Sequence, residues 1–181
     1  FARLATASEN ILAVKIDGAT KEDFAWGFRV GFVTFAGKGL GAGELDALDR
    51  KLMGSIRSTV SNSSRIAQSM LVRALQSQSY RSEKAEKREL LASRYAKVRE
   101  ILAGSDTGPL SPLPFNSGYF MAFTCNGVSA EALRLSLLDD GIGTIAIGER
   151  YLRVAYSTID ERDLPELYEA IFVAAKRLAG G

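Results

Sequence analysis

A single cysteine, Cys125, is all the thiol this sequence holds. That excludes an internal disulfide framework and suits a reducing compartment, so a cytoplasmic location is expected. An excess of one charge is missing too: 23 basic against 21 acidic residues leave a net +2, too little to imply a polyelectrolyte, and no nucleic-acid partner is expected. No apolar run approaches the roughly 20 residues of a membrane helix, no signal peptide is visible, and no membrane partner or metal site is expected. Internal repeats and low-complexity tails are absent. The glycine-rich run 37–43 lacks the Lys-Ser/Thr ending of a Walker phosphate loop and reads as a flexible connection. Proline is scarce and concentrated: three of the four, Pro109, Pro112 and Pro114, fall within 104–118, which excludes a continuing helix and marks a hinge or boundary.

What is present suits one domain or one and a fraction, since 181 residues at 46% apolar content supply ample core. The chain opens on Phe1 inside plausible folded sequence, and a piece of a longer protein is expected. Residues 1–9 read as a helix end or loop. The β-branched run 11–16 predicts a buried strand, turned at Asp17-Gly18 to deliver Thr20 and Lys21, and 29–35 predicts a second strand. Apolar residues at helical spacing predict helices over 44–58, 64–78 (with serine cap chemistry before it) and 83–103, the last with a Leu91, Tyr95, Val98, Leu102 stripe. Its mixed lysines, arginines and glutamates are a solvated face rather than a nucleic-acid patch. Beyond the prolines the pattern becomes β-α-β-α: a strand over 119–125, a helix capped by Ser129 and stopped near Gly141, strands over 144–147 and 151–156 hinged at Gly148, and a closing helix over 164–178. An antiparallel sheet backed by helices fits this part.

The chemistry concentrates at Lys21 and Arg29. A lysine amine serves covalent catalysis when burial and nearby positive charge keep it partly neutral, and the expected strand end would bury its stem. Arg29 suits a dianionic phosphate, because its planar fork directs two hydrogen bonds, and Thr20 offers a hydroxyl to the same anion. By spacing alone the pair equally reads as a turn lysine and a strand-end charge.

The whole string decides between these. Lys21 followed by Gly27, Phe28, Arg29, Val30, Gly31 and Phe32 resembles the cofactor-lysine signature of the fold-type I pyridoxal-phosphate-dependent aminotransferases of classes I and II, the aspartate aminotransferase-like group. The resemblance implies that Lys21 is the Schiff-base lysine and Arg29 the ligand of the cofactor phosphate. One departure stands out: the serine that the family commonly has three residues before the lysine is Gly18 here, which leaves the hydroxyl contribution to Thr20. Downstream, Tyr151-Leu152-Arg153-Val154-Ala155-Tyr156-Ser157 resembles the family's late strand, implying that Arg153 grips the substrate α-carboxylate. Asn116-Ser117-Gly118-Tyr119-Phe120 resembles the glycine-aromatic lead-in to the family's small domain, a structural feature. Arg57 through Ser64 resembles the inter-helix turn that reaches the neighbouring subunit's site, implying Ser61 on the partner's cofactor phosphate and Arg57 on a substrate side-chain carboxylate; ordinary capping explains these residues equally well.

The expected fold is therefore α/β, becoming α+β toward the C-terminus. It comprises the end of the large cofactor domain (1–80), a long connecting helix (81–104) and a small domain (105–181). The resemblance covers only the later half of the family's fold. The aspartate that pairs with the pyridine nitrogen, the stacked aromatic and the glycine loop of the phosphate cup lie in the family's earlier half. The implied parent transfers an amino group between an amino acid and a 2-oxo acid, binds pyridoxal 5'-phosphate and is a homodimer, while this piece by itself is expected to be inactive. A lyase or decarboxylase on the same scaffold, a cofactor-binding effector domain of a transcription regulator, and a simple folding and dimerisation domain are the alternatives.

Overall fold

The computed structural model describes residues 1–116 and 118–180; Ser117, part of the lead-in motif above, and Gly181 lie outside the described residues. The chain divides into two compact units, Phe1–Lys84 and Ala85–Gly181.

The first unit runs through helix α1 (Ala2–Ala5), strand β1 (Ala13–Gly18), the single helical turn α2 (Ala19–Glu22), strand β2 (Gly31–Ala36), and helices α3 (Ala42–Thr59) and α4 (Arg65–Leu75). β1 and β2 form an antiparallel two-stranded sheet, in register from Ala13↔Ala36 to Gly18↔Gly31. Asp17 and Gly18 do not turn the chain as expected. They stay paired with Phe32 and Gly31, and the bend comes one residue later, at α2. Arg29 falls outside β2 because its backbone is left-handed, φ 54°, a conformation incompatible with a ladder. The strand expected at 11–16 is present as β1, but its expected burial is not: Ala13 is buried, yet Ile16 is 79% exposed, since a lone two-stranded ladder covers neither of its faces. Ser64 caps α4 as expected, its Oγ accepting from the Ala67 N–H at 3.3 Å. A small core gathers Ala19, Val30, Ala67 and Leu71, with Ala25 and Phe28 packed against it; α3 buries none of its residues.

The second unit takes most of helix α5 (Tyr80–Gly104), which begins in the first. Strands β3 (Leu110–Pro112) and β4 (Met121–Cys125), helix α6 (Ala130–Asp139), strands β5 (Ile145–Ile147) and β6 (Tyr151–Val154), and helix α7 (Leu164–Ala179) follow. The sheet order is β3-β4-β6-β5, every pair antiparallel, so the expected helix-backed antiparallel sheet is present. β3 lies within the proline-rich stretch read as a hinge. It is an edge strand, where Pro112 loses no obligatory ladder bond. Ser129 caps α6 by accepting from Ala132 N–H at 3.2 Å, and Gly141, at φ 79°, lets the chain leave that helix.

Alternation decides what the sheet buries. Met121, Phe123 and Cys125 of β4 and Leu152 and Val154 of β6 turn inward, to a core shared with Val98, Leu133, Leu137, Tyr168, Ile171 and Phe172. Along α7, Leu164, Tyr168, Ile171, Phe172, Ala174 and Ala175 are buried, while Leu178 stays at the rim. The residues between the inward ones, Ala122, Thr124, Tyr151 and Arg153, therefore occupy the sheet's other face.

Candidate active site

Three of the four expected cofactor residues, Thr20, Lys21 and Arg29, flank the end of the β1–β2 ladder, while Ser61 lies in the turn between α3 and α4. Gly18 pairs with Gly31, and the next residues are tied by a bond from the Ala19 N–H to the Val30 carbonyl at 3.1 Å. Thr20 and Lys21 leave the ladder just beyond that tie on one side, and Arg29 stands just before it on the other. The intervening loop is closed on itself, with the amides of Asp23 and Ala25 both donating to Ala19 O and that of Phe28 to Ala25 O, at 3.1–3.2 Å. One strand pairing thus delivers an amine, a hydroxyl and a guanidinium to one end of the sheet. The stem burial expected for Lys21 is not supplied by this chain: its side chain, like that of Arg29, is exposed.

Among the described residues, the non-glycines with positive φ are Phe24, Arg29 and Ser61, at 54°, 54° and 66°. Such backbone costs about 1–3 kcal/mol per residue and concentrates at sites that use it. Two of the three are residues singled out from sequence, and the third lies in the loop between Lys21 and Arg29. Arg57 and Ser61 are brought together directly, the Arg57 Nη1 donating to Ser61 Oγ at 2.6 Å. That bond uses one donor of the Arg57 fork, and the Ser61 hydroxyl keeps its own proton to donate.

Two residues unmarked by sequence reasoning back the lysine-bearing turn. The Tyr80 hydroxyl donates to Asp23 Oδ1, and Lys84 Nζ reaches Glu22 Oε1 at 3.0 Å, Asp23 Oδ1 at 3.1 Å and Tyr80 Oη at 3.3 Å. The Glu22 carboxylate foremost, aided by Tyr80 and Asp23, pushes the Lys84 ammonium above the usual lysine range against the opposing effect of burial. The bond to Asp23 raises the Tyr80 phenol, which keeps it a donor. The only sequence signal for this pair was its i, i+4 spacing.

In the second unit Arg153 sits on the open face of the sheet, opposite Ala122 on β4 and Ile145 on β5. Its guanidinium lies over the Phe120 ring, 4.6 Å from the centroid, a cation–π contact that leaves the edge of the fork for a ligand. The loop before Phe120 is pinned by Tyr156, whose hydroxyl donates to Gly118 O at 2.7 Å; burial raises that phenol. The lead-in aromatic read as structural is thus the platform of the arginine. Among the described residues no group of side chains suits a metal ion, and no helix is long and apolar enough to cross a membrane.

Residues 9–171 match the family described as aminotransferase class I and II. The chain belongs to that family. The solved aminotransferases share its fold: one from Anaerococcus prevotii at TM-score 0.72 and 21% identity, over 93% of this chain and 40% of that one. The alpha-aminoadipate aminotransferase of Thermus thermophilus, complexed with N-(5'-phosphopyridoxyl)-L-leucine, matches at 0.69 and 20%, over 92% and 42%. A multiple substrate aminotransferase from Thermococcus profundus matches at 0.72 and 14%, over 92% and 41%. No curated protein matches the sequence. The chain spans about two fifths of the length of these aminotransferases.

Proposed function

We propose that the protein carrying this chain is a pyridoxal-phosphate-dependent aminotransferase that moves an amino group between an amino acid and a 2-oxo acid. The observation that supports this reading is the ladder end at Gly18↔Gly31, with Lys21 following one of the paired strands and Arg29 preceding the other. The donor set there fits the cofactor: an amine for its aldehyde, with a guanidinium and the Thr20 hydroxyl for its phosphate. The phosphopyridoxyl group held by the Thermus structure supports the same choice. Gly18, in extended backbone, offers no hydroxyl where the family has serine, so Thr20 takes that part, with Ser61 serving a second subunit of a cytoplasmic homodimer.

Bound there, the cofactor supplies an electron sink for charge developing at the substrate α-carbon. Lys21 would hold the cofactor through its Nζ and, with that amine free, would take up the proton from the substrate α-carbon and give it back. Arg29 neutralises the phosphate, and Arg153 takes the substrate carboxylate through two parallel hydrogen bonds, fixing which bond breaks. Arg57 meets a second carboxylate on acidic substrates. The domain division follows: 1–80 as the end of the cofactor domain, 81–104 as the connecting helix, 105–181 as the small domain.

Two measurements test this. Assayed with pyridoxal phosphate, an amino acid and a 2-oxo acid, the full-length protein is expected to transfer the amino group and the isolated chain to show none; transfer by the isolated chain would overturn its incompleteness. In the full-length protein, Arg153→Lys keeps the charge but loses the fork. At about 1.5–3 kcal/mol for bonds to a charged group, kcat/KM is expected to fall about 10- to 100-fold, mainly through KM. Unchanged kinetics would remove Arg153 from the substrate site.

A further inference from the structure

We propose that Tyr80 and Lys84 are positioning residues for Lys21: by holding Asp23 and Glu22, they fix the rotation of the single helical turn that carries the amine. This rests on the reading of Lys21 given above.

The turn needs such an anchor. α2 spans four residues, Ala19–Glu22, and one isolated helical turn is unstable, because its dihedrals are fixed for the return of one hydrogen bond. Its backbone ties converge on Ala19: the ladder-end bond to Val30, and the amides of Asp23 and Ala25 on the Ala19 carbonyl. The bond to Val30 ties the start of the turn to the ladder and the other two close the turn on its own first residue, while Glu22 and Asp23 are tied to the helix at residue 80 by side chains.

The geometry of the cluster fits that task. At about 100° per residue, Glu22 and Asp23 project about 100° and 200° round the axis from Lys21. Bonds to them restrain the turn from its sides and back without obstructing the amine. Asp23 is the best-sheltered partner, its side chain 10% exposed, and it receives both the Tyr80 hydroxyl and the Lys84 ammonium. Tyr80 and Lys84 stand one turn apart on one face of a 25-residue helix, with the Lys84 ammonium 5.6 Å from the Tyr80 ring centroid. A long helix is thus the platform and a one-turn helix the object held. Exposed ion pairs contribute little, but here charge-assisted bonds share one sheltered carboxylate, which makes the arrangement directional.

The test follows the amine itself. Full-length protein is mixed with pyridoxal phosphate and quenched with borohydride at set times. The Lys21 amine condenses with the aldehyde with loss of water, hydride adds to the carbon of the C=N bond, and the nitrogen takes a proton. The reduced adduct on the Lys21 peptide is then measured by mass. Lys84→Met and Tyr80→Phe are each expected to slow adduct formation about tenfold or more, as for a reacting group displaced by a fraction of an ångström, with the unfolding midpoint unchanged. Lys84→Arg, which restores a donor to both carboxylates, is expected to recover most of the rate. Formation at the wild-type rate in both Lys84→Met and Tyr80→Phe overturns the proposal while leaving Lys21 as the cofactor lysine. Absence of adduct on Lys21 in the wild type overturns both. If Lys84→Met does not fold, Tyr80→Phe, which removes one oxygen, decides.

Discussion

Replacing Lys21 by alanine in the full-length protein is expected to lower amino transfer by at least about 10^2- to 10^4-fold, the contribution typical of a positioned general acid–base group, and to abolish covalent attachment of the cofactor. Lys21 lies outside the small core of Ala19, Val30, Ala67 and Leu71, so the loss is expected without unfolding of the variant, which its urea midpoint checks. Arg29 and Thr20 remain in the variant, so pyridoxal phosphate is expected to bind without attaching. The two effects separate in one preparation: an equilibrium-dialysis measurement of bound cofactor beside a steady-state assay. Transfer within about threefold of wild type would remove Lys21 from the chemistry and make its exposed place at the ladder end incidental.

Phe123→Ala is expected to destabilise the second unit by about 3–5 kcal/mol, the range for emptying an aromatic site in a core. Phe123 is fully buried, stands opposite Leu152 in the ladder and faces two rings at once. Phe172 lies at 6.0 Å with an interplanar angle of 85°, and Tyr168 at 6.3 Å with 64°. Edge-on pairs of this kind contribute about 0.5–1.5 kcal/mol each beyond their area. Phe123 also adjoins Ala122, the cross-strand partner of Arg153, so its loss is expected to loosen the strand pair that presents the arginine proposed for the substrate carboxylate. Urea unfolding checks this, with the midpoint falling by roughly 1–5 M. The signal is to be tyrosine circular dichroism in the near ultraviolet, because the chain's one tryptophan, Trp26, belongs to the first unit. A loss below about 1 kcal/mol would show that the site collapses around the missing ring.

Local signals in the sequence account for much of this protein. The Ser64 and Ser129 caps, the helical stripe through Val98, the alternation Met121, Phe123, Cys125 and the antiparallel pairing of the last strands follow from residue type and period. The string from Lys21 to Phe32 as a whole, rather than its spacing, resembles the family's signature even though Gly18 breaks the pattern. Boundaries slipped where pairing outranked propensity. Asp17 and Gly18 are turn residues by type but remain extended, because Phe32 and Gly31 stand opposite them.

Tertiary structure alone decided the rest. The left-handed backbone of Arg29 and Ser61 depends on what surrounds them, since a non-glycine residue there is held by its context rather than by its own preference. Phe120 became the platform of Arg153 only when β4 and β6 paired, and Tyr80 and Lys84 reached Asp23 and Glu22 only when a helix begun at residue 80 lay against a turn ended at residue 22. Residue order specifies periodicity and local dihedral preference. Which side chains meet across some sixty positions is set by the packing of elements, and that is where the setting of Lys21 was decided.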